Sequence, residues 1–231
     1  MIDVNAFRSI SYGLYLIASH GDGGRAGCTV NTFTQVTSDP LQVSVAVNKD
    51  NHTASIIEQA GRYTAVSLSQ DASMDLIGKF GFFCSRDVDK FEPFAVETDA
   101  SGCPYIAEQA VARFSVEVTD SVDLGTHMLF IGTVVEAERL SDDEPMTYAY
   151  YHAVKGGKTP PKASSFIADR IGDAVPPSAS GDADAHEDAP KIRYGWRCTI
   201  CGHVEEVDEL PDGFSCPICG VGKELFEKIE L

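Results

Sequence analysis

Short runs of alternating apolar and polar residues dominate the first two thirds of the chain. The clearest run places apolar side chains two residues apart, at Leu41, Val43, Val45 and Val47. The same period recurs over Ala110–Val118, and Gly13–Ser19 and Leu129–Glu138 are further candidate strands. Because successive side chains of a strand point to opposite faces, this pattern predicts antiparallel strands with one buried face.

Helical patterns are few and short in the same region. One helix is predicted from Thr53 to Ala60, ending at Gly61, and another from Ser73 to Phe80. Many strands accompanied by one or two helices predict a mainly β fold that closes into a barrel.

A glycine-rich turn follows the first candidate strand. The segment from Gly21 to Ala26 formally matches the G-x-G-x-x-A pattern of dinucleotide-binding folds. That pattern needs a helix directly afterwards, because the helix N-terminus holds the pyrophosphate. The residues that follow, from Cys28 to Val36, are rich in β-branched side chains and favour a strand. We therefore expect a β-hairpin here and no Rossmann domain.

Two similar cysteine motifs, each of which we call a knuckle, lie in the last forty residues or so, at Cys198–Gly202 and Cys216–Gly220. Each has the form Cys-x-x-Cys-Gly, which directs two sulfurs to one point, and the glycine suits a turn with positive φ. Facing each other, the two motifs predict a tetrahedral site for zinc or iron formed by four thiolates: Cys198, Cys201, Cys216 and Cys219. Two disulfides are the alternative, which the lack of a secretion signal disfavours.

Composition narrows the function classes. The chain of 231 residues has room for one medium domain and the small metal module. A formal net charge of −17 argues against nucleic acid and anionic membrane as partners. The N-terminus lacks a signal layout, and no apolar run is long enough to span a bilayer. Cys28, Cys84 and Cys103 are scattered, as in reduced thiols, so a cytoplasmic protein is expected.

A polar segment separates the two parts. Residues 171–190 contain Pro176-Pro177, small residues and acidic side chains but no Lys or Arg. Such a composition cannot bury apolar area and predicts a solvated linker. The expected organisation is therefore a domain at 1–170, an acidic flexible linker at 171–190 and a metal-binding domain at 191–231.

Amides and hydroxyls cluster beside two of the candidate strands. Asn31-Thr32 lies within one strand, and the segment from Asn48 to Thr53 leads from another strand into a helix. Such groups with Lys49 nearby can hold a phosphate at a helix N-terminus. They are equally typical of an ordinary helix cap, and the spacing alone does not decide between the two.

The tail, residues 191–231, contains further motifs besides its cysteines. The further motifs are Tyr194-Gly-Trp196, Leu210-Pro-Asp-Gly-Phe214 and Gly222-Lys-Glu-Leu-Phe226. With the second knuckle they resemble rubredoxin, the one-iron electron carrier. The stretch between the knuckles is shorter than in stand-alone rubredoxins and is similar to the rubredoxin modules fused to other redox domains. The resemblance implies one iron, with a structural zinc ribbon as the alternative.

Several blocks follow one another in the first domain, at 27–40, 45–53, 76–81, 85–91, 127–132 and 150–158. In this order they resemble the flavin reductase-like, FMN-binding split-barrel family. The resemblance implies a split β-barrel with a few short helices, commonly a homodimer, with FMN near the subunit interface.

The resemblance also implies site residues. Contacts along the flavin would come from Thr29, Asn31 and Thr32, and contacts toward the ring edge, ribityl and phosphate from Asn48, Lys49, Asn51 and Thr53. Arg86 and Lys90 are further phosphate candidates, although Arg86 and Asp87 could instead form a surface ion pair. His127 resembles the histidine near the nicotinamide of the NAD(P)H donor in this family, with a structural role as the alternative.

Together the two halves resemble the high-molecular-weight rubredoxins. This implies an electron-transfer oxidoreductase that carries electrons from NAD(P)H through FMN to iron and on to a partner such as a flavodiiron NO or O2 reductase. One alternative is a flavin reductase acting on free flavin or an external acceptor. Another, of a different class, is an FMN-binding protein whose zinc ribbon makes protein contacts.

Overall fold

The computed structural model describes residues 2–160, 163–165 and 194–230. The strands of this part are β1 (Tyr15–Gly21), β2 (Gly24–Val30), β3 (Thr34–Ser38), β4 (Leu41–Asn48), β5 (Arg62–Leu68), β6 (Glu97–Thr98), β7 (Pro104–Tyr105), β8 (Ala110–Asp123), β9 (His127–Arg139), β10 (Tyr194–Cys198), β11 (Val204–Glu205) and β12 (Phe226–Glu230). Its α-helices are α1 (His52–Ala60), α2 (Met74–Phe82) and α3 (Tyr148–Ala153), and short 3-10 helices lie at Val4–Ser9 and Lys223–Leu225.

Seven of the described strands form one antiparallel sheet in the order β2-β1-β5-β8-β9-β4-β3. Its two edge strands, β2 and β3, are consecutive in the chain and separated by residues 31–33 alone. A flat sheet of this width would set its edges about 29 Å apart, because neighbouring strands lie about 4.8 Å apart. The short connection spans at most about 15 Å, so the sheet must curl into a barrel. The expected mainly β barrel with few helices is confirmed.

Apolar side chains fill both faces of this curled sheet. One cluster contains Ile17, Val45, Tyr63 and Phe130, all buried, from four different strands. A second cluster packs α2 against the other side of β1 and β5 through Leu76, Ile77 and Phe80. Helix α2 is therefore fixed to the sheet along its apolar side.

The helix and hairpin predictions are borne out. Helix α1 ends at Gly61, whose φ of 64° is a left-handed C-cap, and α2 begins after Ser73, whose side chain accepts from the Leu76 N–H. The turn after β1 is a hairpin, with Gly21 paired to Gly24. Because β2 and not a helix follows, the dinucleotide pattern carries no Rossmann domain. Sequence reasoning missed β5 and α3, and it placed Asn31-Thr32 within a strand, whereas residues 31–33 connect β2 to β3.

The C-terminal part forms its own sheet of β11-β10-β12. The aromatic rings of Phe214 and Phe226 lie 5.3 Å apart and pack against the buried cysteines. The predicted linker, 171–190, lies outside the described residues. Across the described ranges, no helix combines the length and apolarity needed to cross a membrane.

Candidate functional site

A cleft opens beside β2, the end of β4 and the start of β9. Six of the residues predicted to contact flavin or nicotinamide line it: Thr29, Asn31, Thr32, Asn48, Asn51 and His127. Apolar side chains from α2 and α3 line its other walls, including Ile77, Phe82, Tyr148 and Tyr151.

Strand pairing brings the polar residues together. Asn48 ends β4 and lies directly opposite His127, the first residue of β9. Thr32 is tied to β4 because its Oγ1 donates to the Ala46 carbonyl at 2.8 Å. Asn51 is the N-cap of α1, and its Oδ1 accepts from the Thr53 N–H at 3.1 Å. Amides and hydroxyls far apart in sequence therefore share one rim of the cleft.

The segment 163–165 closes one side of the same cleft. Asn31 is buried, and its Nδ2 donates to Ser165 Oγ at 3.0 Å while its Oδ1 accepts from Ser164 Oγ at 3.2 Å. Ser164 itself lines the cleft. Nothing in the sequence pattern of 163–165 indicates this contact, because it joins positions more than 130 residues apart.

Two aromatic residues of the cleft were also missed. Tyr148 and Tyr151 stack with their ring centroids 5.8 Å apart, and the Tyr151 hydroxyl donates to the Lys158 carbonyl at 3.0 Å. The available signal was the aromatic run from Tyr148 to His152. Planar aromatic walls with amides and hydroxyls at one rim match the chemistry of a flavin, which has an apolar ring face and polar edges.

The cationic side chains predicted to bind the FMN phosphate are not among the described residues that line this cleft. Lys49 Nζ forms an ion pair with Asp123 at 2.8 Å, and both side chains are largely exposed. Arg86 is exposed. Thr53 is fully buried beneath the N-terminus of α1.

Lys90 lies in the interior and not at a phosphate-accessible surface. Its side chain is fully buried, and Nζ donates to the carbonyls of Gly27 at 2.8 Å and Phe80 at 3.2 Å. The amine thereby links β2 to α2. Burial lowers the pKa of Lys90 to about 8, a shift that Lys79 reinforces and that Cys28 and Cys84 oppose.

This pKa predicts a pH dependence of stability. In the unfolded chain Lys90 keeps its proton up to about pH 10.4, whereas the folded chain loses it near pH 8. Between these values the unfolded state binds more protons, so the free energy of unfolding rises with pH. We expect denaturant titrations to show that this rise is larger in the wild type than in Lys90→Met, by up to about 3 kcal/mol.

The matched control is Lys79→Met, which removes a more exposed lysine of the same region. It should keep most of the wild-type slope, because the charge of Lys79 contributes least to the pKa shift of Lys90. Equal slopes for the wild type and Lys90→Met would show that Lys90 is not the titrating group.

The two cysteine knuckles have the same backbone geometry. The Cys198 N–H donates to the His203 carbonyl and the Cys216 N–H to the Val221 carbonyl, each at 2.7 Å. Gly202 and Gly220 follow the second cysteine of each pair with φ of 75° and 73°. The predicted positive φ is confirmed, and only glycine adopts it without a steric cost.

The knuckles bring all four sulfurs together. The Sγ atoms of Cys198 and Cys219 lie 3.6 Å apart and those of Cys201 and Cys216 lie 3.5 Å apart, and all four lie within 4.8 Å of one another. Four thiolates around a metal at about 2.3 Å would be about 3.8 Å apart, so the arrangement fits a tetrahedral metal ion.

The metal cluster and the cleft lie on adjoining faces of α2. Ile77, Gly81 and Phe82 line the cleft. Met74 and Phe83 pack against the buried cluster of the tail that contains the cysteines, together with Phe82. A single helix therefore forms part of the wall of the cleft and the surface that the metal-binding domain contacts.

Comparison with known proteins identifies both parts. The model of the flavin reductase like domain matches residues 7–157, which is more than half of the chain. The chain belongs to the flavin reductase-like family. The rubredoxin-like domain model of rubrerythrin matches residues 196–227. The resemblances inferred from the sequence blocks and from the knuckles are thus both confirmed.

Relatives extend this result over the whole chain. The high molecular weight rubredoxin of Moorella thermoacetica is 35% identical over 99% of this chain and 100% of its own. The ferric-chelate reductase (NAD(P)H) of Archaeoglobus fulgidus is 40% identical over 72% of this chain and 98% of its own. The solved structure of the NADH:FAD oxidoreductase SgcE6 of Streptomyces globisporus, 25% identical, covers 62% of this chain and 84% of its own with a TM-score of 0.56.

This member of the flavin reductase-like family is therefore an oxidoreductase in which a flavin domain is fused to a rubredoxin-like domain. Family membership implies a flavin with NAD(P)H as donor, and the rubredoxin-like four-cysteine site binds iron. These findings confirm the cofactors expected from the sequence.

Proposed function

We propose that this chain carries electrons from NAD(P)H to an external one-electron acceptor. The electrons enter at the cleft of the first domain and leave from the four-cysteine domain. When bound, a flavin accepts a hydride and gives up electrons singly, and a four-cysteine iron centre holds one electron at a time. The observation that supports this route is the contact of both sites with α2, since Ile77 lines the cleft while Met74 packs against the cysteine cluster.

Residues of the cleft are assigned roles on the same basis. We propose that Thr29, Asn31 and Thr32 bind along the flavin, that Asn48 and Asn51 bind its polar edge, and that His127 contacts the nicotinamide of the donor. Lys49 reaches the phosphate of FMN after exchanging its exposed partner Asp123, at little cost because exposed ion pairs are weak. Arg86 is a second exposed cation for that phosphate, and Thr53 and Lys90 support the cleft from behind.

The domain boundaries at 1–170 and 191–231, with a linker between them, are part of this proposal. A homodimer is supported by apolar side chains that remain exposed on the barrel, among them Val36, Leu41 and Val135. Free thiols at Cys28, Cys84 and Cys103 are consistent with a reducing compartment such as the cytoplasm. The likeness of the whole chain to a high molecular weight rubredoxin favours a redox partner such as a flavodiiron protein.

The order of reduction tests this function. In an anaerobic stopped-flow experiment with the flavin- and iron-loaded chain, NADH or NADPH should bleach the flavin absorbance first and the iron absorbance afterwards. A tail-less variant ending at Arg170 should keep the first phase and lack the second. Iron that is reduced before the flavin, or without it, would contradict the proposed route.

A second candidate function is reduction of an external ferric complex at the flavin domain itself. It is favoured by the 40% identity to a ferric-chelate reductase, which is matched over 72% of this chain. The same tail-less variant separates the candidates. Reduction of a ferric chelate at the wild-type rate without the tail supports this second function, whereas delivery to an electron-carrier protein should depend on the tail.

A further inference from the structure

Helix α2 meets the metal-binding domain at a glycine. Gly78 is buried in the middle of α2, and a Cβ at this position would lie 2.7 Å from the Ile218 carbonyl oxygen and 3.2 Å from the Cys219 Cα. Both neighbours are backbone atoms of the second knuckle, which cannot move aside as a flexible side chain can. The knuckle that holds two of the metal ligands therefore rests directly on the helix backbone.

Glycine at this position is not explained by the helix itself. Glycine in a helix interior is less favourable than alanine by about 1 kcal/mol, so the local preference is for a side chain. The backbone of Gly78 is not in the left-handed region, in contrast to Gly202 and Gly220 of the knuckles. The close approach of Ile218 and Cys219 is the feature that requires a residue without a Cβ.

Contacts on both sides of Gly78 extend this surface of α2 that holds the second knuckle, which we call the seat. Met74 lies one turn before it and Phe83 follows the helix, and both pack against the buried residues of the tail. Ile77, adjacent to Gly78, lines the cleft. Phe82 lines the cleft and also packs against the buried residues of the tail, so the seated knuckle and the cleft lie on adjoining faces of α2.

We propose that Gly78 is a positioning residue that seats the Cys216–Cys219 knuckle on α2, and that electrons cross to the iron in this seated arrangement. This inference rests on the proposed function, because it names the contact through which that route passes. Oxidation of one NAD(P)H to NAD(P)+ and a proton supplies two electrons, which leave in two successive crossings. Each crossing reduces one Fe(III) to Fe(II), and the external acceptor reoxidises the iron between crossings.

The test compares Gly78→Ala with the wild type, both loaded with flavin and iron. Overpacking against backbone atoms should unseat the knuckle and slow iron bleaching by NADH about tenfold or more. Flavin bleaching should keep its wild-type rate. Amide hydrogen exchange in the oxidised protein, measured without any electron donor, should become faster in α2 and in residues 216–221.

Gly81→Ala is the matched control for the exchange measurement alone, because Gly81 also lines the cleft. A Cβ at Gly81 would meet Thr29 at an ordinary 3.8 Å, so the seat should stay protected. Both substitutions favour the helix equally, which separates a lost contact from a weakened helix. If Gly78→Ala does not fold with both cofactors, Phe83→Ala tests the same seat and should produce the same two changes.

Three results distinguish the possible failures. A cofactor-loaded seat variant with wild-type exchange and wild-type iron bleaching would overturn the role of Gly78. Faster exchange with unchanged iron bleaching would show that electrons cross without the seat, which also overturns the proposal. Wild-type protein whose flavin is not bleached by NADH or NADPH would refute the proposed function instead, while the exchange data still decide whether Gly78 seats the knuckle.

Discussion

Cys216→Ser is expected to abolish electron delivery to an external acceptor protein while leaving flavin reduction by NADH at its wild-type rate. Cys216 is buried, and its sulfur lies 3.5 Å from that of Cys201 in the metal cluster. A serine oxygen is a harder ligand than a thiolate and does not complete a four-sulfur site for iron. Cys216 is not among the described residues that line the cleft, so those residues are unchanged.

The measurement is the rate of acceptor reduction alongside the flavin and iron absorbance of the same sample. Cys84→Ser is the matched control, since Cys84 is a free cysteine outside the cluster and its loss should leave the iron spectrum and delivery intact. Persistent delivery by a Cys216→Ser protein that contains no iron would place the exit of electrons elsewhere.

Removal of the metal is expected to unfold residues 194–230 while the first domain keeps its fold and its flavin. Besides the cysteines, the buried apolar residues of this part are few: Leu210, Ile218, Val221 and Phe226. Domains below about 40 residues rarely fold on such a core without a metal or disulfides. Binding of a structural metal by thiolates contributes about 10–16 kcal/mol in zinc-finger peptides, which is enough to decide folding here.

Hydrogen exchange after chelation of the metal should show complete loss of protection in the tail and little change in β1 and β5. Adding either Fe(II) or Zn(II) should restore the protection, because both accept a tetrahedral four-thiolate site. Only iron should restore electron delivery, since zinc has no redox chemistry. A tail that stays protected without metal would show that its contact with α2 alone holds the fold.

Those parts of the site that are built from neighbouring residues could be predicted from the sequence. Each knuckle is a segment of five residues whose ligands and turn glycine are encoded together, so Cys198–Gly202 and its repeat specify the cluster. The cap at Asn51 and the helix stop at Gly61 are local in the same way. Asn48 and His127 required knowledge of strand register, and the family resemblance supplied them where periodicity could not.

Long-range packing explains what the sequence did not indicate. Lys90 is polar by type, yet it is buried where the carbonyls of Gly27 and Phe80 converge, and the two carbonyls are distant in sequence. The contact of Asn31 with Ser164 and Ser165 closes the cleft from more than 130 residues away. Gly78 has no local signature, because its requirement comes from the backbone of another domain.

The shared wall also links two equilibria. Thr29 Oγ1 donates to the Ile77 carbonyl at 3.2 Å, so the cleft strand β2 is tied to the helix on which the tail sits. Thermodynamic reciprocity requires that any factor by which cleft occupancy strengthens tail seating equals the factor by which tail seating strengthens binding in the cleft. The effect of the flavin on tail seating and the effect of tail seating on flavin retention then report one coupling free energy. A substitution on α2 that changes this free energy changes both effects by the same factor.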